Sequence, residues 1–221
     1  MTSSSPYKLT TLLFNPFHYV AGGKALLIGV AAILGIAWLG SLGNIHFDGV
    51  LDVHAYLTVF PLWVFLAEGV IACLCMAVVL LIFGKIFAKT SFRAIDVFGT
   101  QALARWPSVF TSLLMVMSAD AIHRCTGVMV QLIKNPEAQI AVDWLDVAVM
   151  VVVTITVLAV TCWMVYLMYK GYSVSCNIKG GRAVGTFIVA LIVAEVLSKV
   201  AIHFVHAPYV NMDATMRFMP G

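Results

Sequence analysis

The stretch VFPLWVFLAEGVIACLCMAVVLLIFG, residues 59–84, decides what kind of protein this is. It contains a single carboxylate, Glu68, and no lysine or arginine until Lys85. As a helix it is long enough to cross the ~30 Å hydrocarbon layer of a bilayer. Similar stretches recur on both sides of it. The first, residues 25–43, opens after Lys24. Two more follow at residues 145–169 and 183–204, and a less regular one at residues 107–126. Soluble domains average roughly 45–50% apolar and 25% charged residues. Here 62% of the 221 residues are hydrophobic and 10% charged, and the mean hydropathy is +1.01. Such a chain has too little polar surface to face water. It reads as an all-α membrane protein, a five-transmembrane-helix bundle in one domain of residues 1–221 with short interfacial helices.

Charge gives the orientation. With the N-terminus in the cytoplasm, the inner segments hold nine basic residues: Lys8, Lys24, Lys85, Lys89, Arg93, Arg105, Lys170, Lys179 and Arg182. The outer ones hold three, Arg124, Lys134 and Arg217, with Lys199 inside the fifth span. This asymmetry follows the positive-inside rule and puts the C-terminus outside. Residues 1–24 lack the pattern of a cleavable signal. Asn15 and Pro16 read as the start of a short helix, with Phe14, Phe17 and Tyr19 resting on the membrane surface.

Two segments need more than hydropathy. In the first span Ala25 and Gly29, and Ala31 and Gly35, are small residues four apart, a spacing that lets helices approach closely in lipid. Residues 91–106 alternate Arg93, Asp96, Gln101 and Arg105 with apolar positions. They read as a surface-lying helix that stops near Pro107, where the third span begins. A competing register, residues 97–119, would bury Arg105. The fourth span, rich in Val, Ile and Thr, reads as the most lipid-exposed.

Ionisable residues within the spans are the first functional candidates, because an isolated charge there costs at least about 2.5–3.5 kcal/mol. Glu68, Asp120, Glu195 and Lys199 all fall in the outer half. Glu195 precedes Lys199 by four residues, the favourable order for an ion pair. Together they suggest an outward-facing pocket for an ion, a proton or a lipid headgroup. The second set is metal-ligating. His46, Asp48, Asp52 and His54 form a near-symmetric HxDxxxDxH in the loop after the first span, and His123, His203 and His206 lie at the same side. Imidazole and carboxylate donors suit zinc and related divalent ions. No HExxH or other metalloenzyme motif is present, and no catalytic nucleophile or base can be named. The sequence calls for no cofactor, with a divalent metal such as zinc as the one candidate these residues raise. The cysteines Cys73, Cys75, Cys125, Cys162 and Cys176 contain no CxxC pair and read as inert thiols. No basic-aromatic stripe suits nucleic acid. Lys179 and Arg182 flank a Gly-Gly turn before the fifth span and read as topology-setting charge, with anionic lipid as a contact.

Three blocks resemble the Yip1 family: Asn15-Pro16, the run IDVFGTQALARWP at residues 95–107, and YKGYSVS at residues 169–175. Asp96-Val97-Phe98-Gly99 is similar to the family's Asp-Leu-Tyr-Gly motif, and Gly171-Tyr172 to its Gly-Tyr motif. Thr100 stands where the family has proline. The compact form resembles the bacterial branch. The resemblance implies five spans with a cytoplasmic N-terminus in the bacterial inner membrane, and a non-catalytic adaptor for other membrane proteins. Residues 91–106, with Asp96, Gly99 and Arg105, are then its expected contacts, together with the small-residue face of the first helix. A homo-oligomer is compatible with the same contacts. A small transporter built on the Glu/Lys pocket and a metal-dependent intramembrane enzyme are the alternatives.

Overall fold

The computed structural model describes residues 9–137 and 143–216. It is almost wholly helical. A short helix α1 (Leu9–Phe14) and a 3-10 turn (Pro16–His18) lead into α2 (Gly22–Gly43). Two short strands, β1 (Ile45–His46) and β2 (His54–Ala55), form an antiparallel hairpin before α3 (Leu62–Phe87). Then come α4 (Ala94–Leu103), α5 (Ser108–Met117), α6 (Ala119–Lys134), α7 (Trp144–Ser175) and α8 (Gly180–Met216).

Among the described residues four helices, α2, α3, α7 and α8, are long and apolar enough to cross a membrane. The pair formed by Ala94–Met117 and Ala119–Lys134, bent by 74°, makes a fifth span when taken as one. The chain is therefore a multi-pass membrane protein. Helix ends follow local chemistry. Pro61 precedes α3 and Lys85 sits in its last turn, where a cation complements the helix dipole. The carboxylate of Asp143 caps α7 by accepting from the Leu145 N–H at 2.9 Å. Asn44, in the left-handed conformation at φ 50°, ends α2.

The third span departs from its expected register. Pro107 does not separate a surface helix from a membrane helix; α4, a tight turn at residues 104–107 and α5 run on together. The residues of α4 are not at the surface. Val97, Gly99, Thr100, Gln101, Ala102 and Leu103 are buried, and Arg105 with them. The cause lies in the small residues of α2. A side-chain carbon on Gly29 would stand 2.3 Å from the Ala102 carbonyl carbon, and one on Gly99 2.5 Å from the Gly22 carbonyl oxygen. The two helices touch backbone to backbone, which in lipid is how packing replaces the hydrophobic effect. Ala25 and Gly29 thus serve as expected. Ala31 is exposed and Gly35 has nothing within 4 Å of a built carbon, so that second pair does not. The straight part of this pair ends at Ser118, after which α6 turns away by 74°. Its polar residues, Asp120, His123, Arg124, Gln131 and Lys134, would be unsatisfied in a straight continuation.

Around this centre α8 packs on α3, and α7 runs along α4, α5 and α6. Met76, Leu80, Val97, Leu167, Met168, Tyr172 and Phe187 join them in one core. Phe17, expected on the membrane surface, is buried in that core, while Phe14 and Tyr19 stay half exposed. Helix α7 is the least buried of the long helices, with Val151, Val152, Ile155 and Leu158 facing outward.

Candidate metal centre and its hairpin

The segment between α2 and α3 is not a solvated loop. His46 and Val50 are fully buried and Asp48 nearly so, because the hairpin tucks in among the helices. Its strands pair Ile45 with Ala55 and His46 with His54. Two intramembrane carboxylates hold it. Glu195, from α8, accepts from the backbone N–H groups of Val50 at 2.7 Å and Leu51 at 3.0 Å. Gly49 at the tip leaves room for it, since a side-chain carbon there would lie 2.6 Å from Glu195 Oε1. Glu68, from α3, takes the Phe47 N–H at 3.2 Å on Oε2.

The other oxygen of Glu68 is the focus of the site. His46 Nδ1 and His206 Nε2 both lie 2.6 Å from Glu68 Oε1. All three side chains are buried: His46 is 0% exposed, Glu68 1% and His206 5%. The imidazole of His46 stacks on Phe65 with centroids 4.2 Å apart, and the Tyr56 and Phe60 rings meet it edge-on. This is a dry aromatic box around two imidazoles and a carboxylate. Their ligating atoms lie within 4.8 Å of one another.

Asn44 fixes the proton inventory. Its Nδ2 donates to the Tyr56 carbonyl at 2.6 Å and the Thr58 carbonyl at 2.7 Å, so the amide cannot be flipped. Its Oδ1 therefore faces His46 Nε2 at 3.3 Å and also takes the Phe60 N–H at 3.4 Å. His46 Nε2 must be the donor in that contact. In a neutral imidazole the Nδ1 lone pair then points at a carboxylate oxygen 2.6 Å away. Two lone pairs cannot share that distance: 2.6 Å is a hydrogen bond with a proton between the two atoms, and a zinc ion held by both at about 2.0–2.1 Å would set them about 3.3 Å apart. A second-shell carbonyl on the far imidazole nitrogen is also what metal-bound histidines use to fix their tautomer.

The rest of the motif forms a second group. Asp48, Asp52 and His54 cluster nearer the surface, and Lys199 bonds to Asp52 Oδ2 while standing 3.9 Å from Glu195. Burial raises the Asp48 carboxyl above its ordinary range, although His54 opposes the shift. Burial is the largest single influence on Asp52 and raises it, but the hydrogen bond and charge of Lys199, with His54 and the Val53 N–H, together outweigh it and bring that carboxyl below its ordinary range. Tyr56, whose hydroxyl leans toward Asp48, is pushed up to about 12 by burial.

Several expected groupings do not form. Glu68, Asp120, Glu195 and Lys199 line no common pocket: the hairpin separates Glu68 from Glu195, and Asp120 is exposed at the start of α6 beyond the bend. His203 is exposed on α8 and does not join His206. His123 donates from Nε2 to the Gly43 carbonyl at 2.9 Å, closing the end of α2 instead of meeting a metal. The expected partner contacts are largely internal. Gly99 is buried against α2, and a carbon on Gly171 would lie 2.9 Å from Thr100, so the two motif glycines serve packing. Arg105 is buried, which also removes it from the inner charge set. Asp96 is tied to Arg93 at 2.9 Å, while Lys179 and Arg182 remain exposed at the end opposite the hairpin. Sequence reasoning set Glu68 apart from the histidines and passed over Asn44 and Tyr56. The Asn following Gly43 is a helix-end signal, but nothing local marks it as a histidine's partner.

No protein-family model, curated protein or solved structure matches the chain.

Proposed function

We propose that this is a non-catalytic multi-pass membrane protein, N-terminus in the cytoplasm, whose outer hairpin is latched to the bundle by a zinc-type divalent cation. His46 Nδ1, His206 Nε2 and the Glu68 carboxylate are the ligands. The observation that carries the reading is the convergence of three buried donors whose ligating atoms lie within 4.8 Å of one another, with Asn44 aiming a His46 lone pair at Glu68; an ion would widen the 2.6 Å contacts by under about 1 Å. Two histidines and a glutamate form a donor set well suited to zinc. Three donors are one short of a closed tetrahedral set, and it is the enclosing rings of Tyr56, Phe60 and Phe65 that bar substrate from the fourth position and favour a structural cation. The latch joins β1, α3 and α8, elements far apart in sequence, so the loaded state and the hairpin's position are one event.

Thermal unfolding of detergent-purified protein tests it. A chelator lowers the Tm of the wild type and added zinc restores it, whereas His206→Gln responds to neither. A wild type indifferent to both has a proton in place of the metal, and the metal reading fails. The exposed Lys179 and Arg182 favour a second, separate contact with anionic lipid or a membrane partner at the cytoplasmic end. Co-purification from native membranes, compared with a Lys179→Gln, Arg182→Gln variant, tests that.

A further inference from the structure

The turn between α4 and α5 carries a second buried group that the hairpin does not use. Arg105 is 6% exposed, inside a membrane bundle. Among the described residues neither its Nε nor its Nη2 has a hydrogen-bond partner. These two nitrogens form one edge of the guanidinium, with parallel N–H groups suited to chelating an anion. The same molecule uses that edge twice. Arg93 grips Asp96 through Nε and Nη2 at 2.9 and 3.0 Å, and Arg124 grips Asp146 at 2.6 and 2.7 Å. On Arg105 it is bare.

Arg105 lines a cavity of about 20 Å³, together with Ser108, Thr111, Thr161 and hairpin residues that include Asp52. That is room for one water-sized occupant. The nearby carboxylates are committed: Asp52 to Val53 N–H and Lys199, Glu195 to the hairpin tip. The Ser108 hydroxyl is directed at the Met164 thioether, a weak acceptor it can leave for a better one. The thiols of Cys73 and Cys75 and the Glu195 carboxylate, whose Oε2 already takes the Val50 and Leu51 N–H groups, are the guanidinium's other electrostatic neighbours. A buried arginine in a bilayer needs a counter-ion or a wet cavity.

We propose that Arg105, with the hydroxyls of Ser108 and Thr111, binds a small monovalent anion of halide size in the centre of the bundle. The site is independent of the metal centre. It holds together α4, α5 and the inner face of the hairpin, so the anion would stabilise the folded bundle.

The test titrates bromide into detergent-purified protein in chloride-free gluconate buffer at constant ionic strength, with and without chelator. It reads the Tm and the linewidth of the halide NMR signal. The expected result is a saturable rise in Tm with matching line broadening. In Arg105→Lys, which keeps the charge but loses the two-pronged edge, half-saturation moves at least ~10-fold higher. Thr111→Val, which leaves the charge untouched, shifts it by a smaller factor and serves if the lysine variant does not insert. No saturable effect in the wild type would mean that water fills the cavity. An effect unchanged in Arg105→Lys and Thr111→Val would put the halide elsewhere. Either result overturns the proposal.

Discussion

Adding one methyl group at Gly29 tests how the bundle is held together. The new carbon would meet the Ala102 carbonyl carbon at 2.3 Å, the Leu103 nitrogen at 2.4 Å and the Ala102 side chain at 2.5 Å. Ordinary contact begins near 3.4 Å, so α2 and α4 must part by about 1 Å, and rigid backbone is what stands in the way. Overpacking of this kind costs about 1–3 kcal/mol, and the backbone contact places it at the upper end. Alanine returns about 0.5–1 kcal/mol as a better helix former. The net loss for Gly29→Ala is therefore about 2 kcal/mol. Gly35→Ala on the same helix, with nothing within 4 Å, keeps only the propensity gain and is neutral to slightly stabilising. Reversible unfolding in mixed micelles with rising SDS measures both. If Gly29→Ala is no less stable than Gly35→Ala, α2 and α4 are not in backbone contact and the placement of α4 inside the bundle is wrong.

Three further predictions concern the hairpin. Glu195→Ala strands the N–H groups of Val50 and Leu51 and costs about 2–4 kcal/mol, whereas Glu195→Gln keeps an acceptor and costs about 1 kcal/mol; the same SDS titration ranks them. Asp52 has a lowered native pKa through Lys199, so its stabilising effect is complete above the unfolded value of ~3.9 and fades as pH falls through the native one. The Tm gap between wild type and Asp52→Asn should accordingly be constant from pH 5 to 7 and close below about pH 4, as a pH series of melts would record. Asn44→Gly keeps the left-handed backbone but frees His46 Nε2, and should weaken zinc binding about 10–100-fold in competition with a chromophoric chelator.

The spans were legible because hydropathy reports the solvent directly: four long apolar runs became four long helices. The third was misread at Arg105. A charge beside Pro107 looks like an interfacial stop, and only the bare backbone of Gly29 and Gly99 allows α4 to be drawn inward. That is a contact between residues about 70 positions apart in sequence, which local periodicity does not encode. The candidate site was half legible. His46 and His206 stood out as donors at one end of the bundle, and Glu68 as an uncompensated charge. What joined them is the hairpin's inward fold, set by Glu195 from the far end of the chain. The sequence grouped HxDxxxDxH with His123, His203 and His206 as one ligand set, but the folded hairpin divides the motif. His46 faces Glu68, while Asp48, Asp52 and His54 form the outer group. His203 failed for a simpler reason: three residues is one helical turn less about 60°, and only His206 lies on the face that meets α3.

Metal content per chain, measured by elemental analysis on protein purified gently without chelator, decides whether an ion holds the hairpin. About one equivalent of zinc or a related divalent ion is expected in the wild type, lost in Glu68→Gln and His206→Gln and retained in Asp52→Asn and His203→Ala. A folded wild type with no bound metal, and none taken up on dialysis against zinc, would contradict the metal latch and leave a proton between His46 and Glu68.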